Sequence, residues 1–326
     1  FPMAQTPKID LEDISIKLGR AVTLVSAPGG LDRKTVVCDV EGNHVVISQR
    51  KSVSRARMEA EILRRLEPTG LVPKLIRNVN DVLVQEYVKG ERLPIALEQA
   101  KGTDKYVLIE RSAEALLELQ RAGAAVGLSD IVPNIGTRAG WCDDLALSPV
   151  RLGNMVGLPV PNYNFGELLK PDNNAPQNFI KWDARPGNIL VRPDGRVCVF
   201  DWEHAGRRRR VDDLAWLFAD EWMPDVPALQ QDALRALAVG GTTPLIEQQF
   251  MAMAIAHSCI RLQLILSRKA HRGWWNRDAC LHKDRVGVTL EHVHLVAKKA
   301  AGWSKQIDGL KPLVAFFDRI DGLTIQ

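Results

Sequence analysis

The hydrophobic rhythm of the chain changes near residue 90. Before that point, short runs rich in Val and Ile are punctuated by Gly and Asn. Ala21–Ser26, Lys34–Val40 and His44–Gln49 read as three strands, with turns at Pro28-Gly29-Gly30 and Glu41-Gly42-Asn43. Ser54–Leu66 departs from this alternation: Met58, Ile62, Leu63 and Leu66 recur at helical spacing, which predicts a helix. Two more strands are predicted near Lys74–Asn78 and Asp81–Tyr87, followed by a short polar crossing, Val88–Arg92. Beyond Pro94 the period lengthens. Tyr106–Ala122 is an amphipathic helix with Leu108, Ala113, Leu116, Leu117 and Leu119 on its apolar side. Gly123–Asn174 is irregular, and Phe179–Gly206 reads as two short strands around Pro193-Asp194-Gly195. From Val211 the pattern is helical, with breaks expected at Gly240-Gly241, Gly273 and Gly309.

This pattern predicts an α+β fold in two lobes. Residues 1–88 would form an antiparallel sheet with one helix, and residues 89–326 a larger, mainly helical part, with a cleft at the join. The length of 326 residues is enough for two such lobes. Apolar residues at 46% and charged residues at 25% are ordinary for a globular chain. A formal charge of +4 is too slight to indicate nucleic-acid binding. No uninterrupted apolar run reaches about 18 residues, so no membrane span is predicted. The start, FPMAQTPKIDLED, lacks an apolar signal core, and Phe1-Pro2 ahead of Met3 reads as an expression remnant. Five scattered cysteines with no CxxC pair suggest neither zinc nor disulfides, which fits a reducing cytoplasm.

The chemistry concentrates in FIKWDARPGNILVRPDGRVCVFDWEHAG, Phe179–Gly206. Asp183 and Asn188 have the D-x-x-x-x-N spacing of a phosphoryl-transfer loop, in which one carboxylate meets a substrate hydroxyl and the Asn offers its amide oxygen to magnesium. Magnesium takes hard oxygen ligands, so a second anionic ligand must reach it from another direction. Asp201, at the end of the apolar run Val197–Phe200, is placed to do so. The competing account is that Asp183 and Asp201 merely cap turns.

WDARPGNILV and VFDWEHAG together resemble the catalytic core of the aminoglycoside phosphotransferase and choline kinase family, whose fold is protein-kinase-like and whose usual pattern is H-G-D-x-x-x-x-N-I-L followed by D-W-E. The resemblance extends to Gly29-Gly30-Leu31, to the helix around Glu59–Leu63, to Val84–Gly90 and to Asp213-Leu214-Ala215. It implies ATP and magnesium as cofactors and a small-molecule hydroxyl acceptor, in a monomer or homodimer. Asp183 would be the base, and Asn188 and Asp201 would hold magnesium. Gly29 and Gly30 would lie over the phosphates, although a plain hairpin turn explains them equally well. The hinge backbone around Glu86 and Val88 would bind adenine. Glu203 would support the metal loop, or be a solvated turn residue.

The chain also departs from the family. Lys181 stands where His is usual and Trp182 where Gly is usual; Lys181 would pair with a carboxylate or point to water. Ser48 falls where strand three should carry Lys or Arg, and Ser cannot supply that charge. Arg50, on the same strand parity, and Lys34, on the preceding strand, are the candidates to replace it. Glu59 would be the helix carboxylate paired with that cation, or part of a solvated helix face. Arg207–Arg210 reads as a solvated turn. The run containing Asp212, Asp213, Asp220, Glu221 and Asp225 could attract a cationic substrate, or serve helix termini and structural bonding, with Asp213 bracing the catalytic loop. Trp274 and Trp275 read as core packing, His204 as an exposed turn residue, and His292 and His294 as diverging on a helix. The leading expectation is an ATP-dependent small-molecule kinase. The alternative is a nucleotide-binding pseudokinase, favoured by Ser48 and Lys181.

Overall fold

The computed structural model describes residues 9–28, 30, 33–170, 178–238 and 243–323. Helix α1, Leu11–Leu18, leads in. Asp10 caps its first N–H groups and Gly19, at φ 65°, ends it, a helix with clear start and stop residues that the periodicity reading had passed over. Strands β1 (Val22–Ser26), β2 (Thr35–Val40) and β3 (Asn43–Gln49) form a meander. Helix α2 (Val53–Leu66) crosses it, and β4 (Leu75–Val79) and β5 (Val82–Glu86) complete an antiparallel sheet of order β1-β2-β3-β5-β4. The inward residues Val36, Cys38, Val45, Ile47, Val82 and Val84 meet Ile9, Ile14 and Leu18 in a core of their own. Helix α2 faces two ways. Ala56 and Ala60 lie against Leu83 of the sheet, while Ile62, Leu63 and Leu66 belong to the larger core of the rest of the chain.

The chain leaves the sheet through residues 87–90. At Gly90 a β-carbon would stand 2.5 Å from the Val191 carbonyl oxygen, so only glycine lets this crossing lie against the lower strands. Then come β6 (Glu91–Arg92), α3 (Leu93–Gln99), α4 (Asp104–Ala125), α5 (Trp141–Ala146) and α6 (Ser148–Val156). The chain from 179 to 206, expected to hold two strands, takes part in three strand pairs. β7 (Asn178–Ile180) pairs with β10 (Gly206–Arg208), and β8 (Ile189–Val191) with β9 (Val197–Val199), β8 also pairing with β6. Helices α7 (Val211–Ala219), α8 (Pro227–Leu237), α9 (Pro244–Arg272), α10 (Arg277–His282), α11 (Leu290–Ser304) and α12 (Leu313–Asp321) follow. The expected breaks at Gly29 and at Gly240-Gly241 lie outside the described residues, whereas Gly273 does end α9. Among the described residues, α9 is the one helix long and apolar enough to cross a membrane, but 78% of its most apolar window is buried by neighbouring helices. All five cysteines are free.

Candidate active site

Strand pairing builds the site. In the β8–β9 hairpin Ile189 lies opposite Val199, and the Phe200 N–H donates to the Asn188 carbonyl at 3.1 Å. Asn188, entering β8, and Asp201, leaving β9, are therefore brought side by side. The β7–β10 pair closes the outer ends, with Gly206 opposite Ile180. Between them Trp182 and Asp201 both turn through left-handed backbone, each at φ 61°, an unfavourable conformation that clusters at functional sites.

Lys181 ties the two loops together. It is 1% exposed, and its Nζ donates to the backbone carbonyls of Asp183 at 3.1 Å and Asp201 at 2.8 Å. Of the two expected fates, carboxylate partner or water, it takes neither: its partners are main-chain carbonyls. Burial lowers its pKa, against the pull of Asp183, Asp201 and Asp213. Asp213, in the first turn of α7, accepts from the N–H groups of Lys181 (3.0 Å) and Trp182 (2.8 Å) and from Gln120 Nε2 (2.8 Å). Burial raises its carboxyl to about 6 against those bonds.

Asp183 sits one residue beyond the strained Trp182. Its Oδ2 accepts from Asn188 Nδ2 at 2.9 Å, and Arg185 Nε lies 3.8 Å from Oδ1. Because the Asn188 amide N–H₂ is committed to Asp183, including its carbonyl at 2.8 Å, the amide oxygen remains available to a cation. Asp201 Oδ1 is buried and accepts no hydrogen bond. Burial disfavours its charge, but Arg50 and Lys181 outweigh this and lower its pKa. An ionised carboxylate whose buried oxygen meets only the Arg50 guanidinium, beside a free amide oxygen, is a donor pair suited to magnesium, which usually takes one or two protein carboxylates and leaves its other positions to water and phosphate.

Arg50, not Ser48, presents a cation to Glu59 of α2. Ser48 is buried with its hydroxyl against Thr35 at 3.1 Å. Arg50, just past β3 and 8% exposed, grips Glu59 of α2 with both Nε (2.6 Å) and Nη2 (2.7 Å). Nη2 also lies 3.1 Å from Asp201 Oδ1, and Nη1 lies 3.7 Å from Glu203. Burial opposes the arginine charge, but these three carboxylates raise its pKa. Glu59 is fully buried rather than on a solvated face, and it also accepts from the Trp202 N–H at 3.3 Å. Glu203 lies against Arg50 and Arg55, its side chain 21% exposed, so it is not a solvated turn residue. Lys34 is exposed at the entry to β2. Gly30 stands at φ 98°, while Gly29 lies outside the described residues. At the hinge Val88 is buried, and Glu86 accepts from the Lys74 N–H at 3.2 Å.

Two readings of the charged runs are corrected. Arg208 and Arg209 are buried, not solvated. Both bind Asp212, and they reach the carbonyls of Leu169 and Leu168 respectively. In the acidic run Asp212, Asp213, Asp220 and Glu221 are buried and bonded within the protein, as structural bonding requires, and only Asp225 of the five is exposed. His292 binds Thr289 and His294 binds Asp321, so the two diverge. A cavity of about 520 Å³ opens beside Trp182, lined also by Arg55, Met58, Ile135, Glu203 and His204; Asp183 does not line it. The sequence reading assigned no role to Asp284, whose carboxylate lies against Arg185 and Arg92. It sits about a hundred positions from the catalytic loop, and no local motif marks it.

A model of the phosphotransferase enzyme family matches residues 26–245. Among solved structures, a putative aminoglycoside phosphotransferase from Ralstonia eutropha is 12% identical at a TM-score of 0.59, covering 92% of this chain and 98% of its own. Spectinomycin phosphotransferase, solved with ADP and spectinomycin, is 12% identical at 0.55, covering 91% and 98%. A macrolide 2'-phosphotransferase from Brachybacterium faecium is 20% identical at 0.52, covering 83% and 96%. These likenesses establish the protein-kinase-like fold. No curated protein matches the sequence significantly.

Proposed function

The chain belongs to the phosphotransferase enzyme family, and from that premise we propose that it transfers the γ-phosphate of ATP to a hydroxyl group of a small molecule. The observation that carries this reading is the Lys181 tie, which holds Asp183 and Asp201 in one rigid arrangement with Asn188 between them. Phosphoryl transfer is mostly positioning and charge neutralisation, and such a tie supplies positioning before substrate arrives.

Asp183 Oδ2 is occupied by Asn188, so Oδ1 receives the proton of the acceptor hydroxyl. The acceptor oxygen bonds to the γ-phosphorus as the bond to the β,γ-bridging oxygen breaks, and that electron pair leaves with ADP. The Asn188 amide oxygen and the Asp201 carboxylate would hold magnesium, which neutralises phosphate charge when bound. Arg50 keeps Glu59, and with it α2, docked on the Asp201 loop. The absent strand-three cation was the main reason to consider a pseudokinase. Arg50 supplies a cation there, so the catalytic reading is preferred.

The test is Asp183→Asn with the best acceptor from a hydroxyl-metabolite screen. Acceptor-dependent ADP formation is expected to fall about a hundredfold to ten-thousandfold, with ATP affinity little changed. A rate left intact would remove Asp183 from the mechanism. Tight ATP binding without turnover on any acceptor would support the pseudokinase.

A further inference from the structure

Two arginines converge beside the proposed base. Arg185 lies on the catalytic loop, with Nε 3.8 Å from Asp183 Oδ1. Its Nη1 and Nη2 each lie 3.3 Å from the Asp284 carboxylate. Arg92, just past the hinge, places Nη1 3.0 Å from the same carboxylate and donates from Nη2 to the His282 carbonyl. One carboxylate thus serves two guanidinium groups. The arrangement is built rather than incidental. At Gly187 a β-carbon would meet Asp284 Oδ1 at 2.6 Å and Arg185 Nη1 at 2.7 Å, so glycine is what allows both to lie over the catalytic loop.

The loop carrying Asp284 is pinned from below. The Gly287 N–H donates to Glu221 Oε1 at 3.1 Å, and Trp222 Nε1 donates to the Arg285 carbonyl at 3.1 Å. Glu221 is itself gripped by Arg261 through two bonds of 2.6 Å. Positive charge is in excess here. Burial and then the charges of Arg185 and Arg33 push Arg92 down to about 10. Burial, and then the charges of Arg261, Arg33 and Arg285 against the pull of Glu221, lower the Arg268 pKa. Asp220 and Glu221, the nearby carboxylates of α7's end, are buried and bonded within the protein.

We propose that the acceptor is an anion, a hydroxyl compound bearing a carboxylate or phosphate group that Arg185 and Arg92 bind while its hydroxyl rests on Asp183. This rests on the phosphotransferase reading above. A planar guanidinium pair matches either anion. Asp284 holds the pair in place and leaves part of its N–H donor capacity unused.

The experiment saturates the protein with magnesium and a non-hydrolysable ATP analogue, then titrates it calorimetrically with glycerol 3-phosphate, glycerate and choline. At least one of the two anions is expected to bind in preference to choline. Arg185→Gln and Arg92→Gln should each weaken that anion about tenfold or more, the cost of a lost charged hydrogen bond. Affinity for the analogue should stay nearly constant, a readout that a collapsed loop would move. Preference for choline, binding of none of the three, or anion affinity untouched by both substitutions overturns the proposal. An analogue that fails to bind counts instead against the phosphotransferase reading, and anion titration of the nucleotide-free protein still decides the arginine subsite.

Discussion

Two arginine–carboxylate knots adjoin the loops of Asp183 and Asp201, and they differ in closure. In the first, Arg50 and Glu59 meet through two bonds of 2.6 and 2.7 Å, with 8% and 0% of the side chains exposed. In the second, Arg92 and Arg185 approach Asp284 at 3.0 and 3.3 Å, with 14–18% of each side chain exposed. The first knot is closed on itself and fixes α2 to the Asp201 loop. The second is longer, wetter and shared by two cations, so part of its donor capacity remains open. The same two residue types make a structural clamp in one place and a candidate recognition surface in the other, and burial decides which.

Glu59→Ala should have the largest effect on stability, because it leaves Arg50 buried beside Asp201 without its bidentate partner. Breaking a buried pair of this kind costs about 3–5 kcal/mol, to be read from urea unfolding. A loss below about 1 kcal/mol, the range of exposed pairs, would erase the distinction between the knots. Next, Asp201→Asn should remove most of the magnesium dependence of ATP binding, since it deletes the anionic ligand while keeping its shape. Calorimetry with and without magnesium checks this; an unchanged magnesium dependence would exclude Asp201 as a ligand.

A third outcome concerns pH. Asp213 has an ordinary value of 3.8 and is raised to about 6 in the folded protein. Between these values the folded state binds more protons than the unfolded chain, so stability falls as pH rises across that window. Asp213→Asn should flatten the slope of Tm between about pH 4 and 6. It should not abolish it, because Asp220, also raised to about 6, contributes with the same sign. The smallest effect is expected from Asp284→Asn. It weakens a partly exposed pair and should cost about 0–1 kcal/mol. A loss as large as that of Glu59→Ala would show the second knot to be as structural as the first.

Legibility along the chain follows the range of the forces involved. The five strands of the sheet and α2 were readable to within a residue or two, because alternation and helical period are local properties. Asp183, Asn188 and Asp201 were readable as a group because one hairpin carries Asn188 and Asp201 and the loop leading into it carries Asp183, so a short stretch of sequence holds the whole constellation. Helices α1 and α3 were passed over, as were α5 and α6 within the irregular Gly-, Pro- and Asn-rich region. The buried state of Arg208 and Arg209 was misread, because charge in sequence argues for solvent unless the partner carbonyls are known.

The sequence by itself therefore determined the sheet strands, α2 and the order of sheet before helices, and it held Asp183, Asn188 and Asp201 in one short stretch, all carried by contacts between near neighbours in the chain. Tertiary structure alone decided that Arg50 rather than Lys34 meets Glu59, and that Lys181 bonds main-chain carbonyls. It also brought Asp284 to the catalytic loop across 99 positions. The physical reason is the same in each case. A buried charge is tolerated only where partners from distant segments satisfy it, and those partners are identified by packing rather than by spacing.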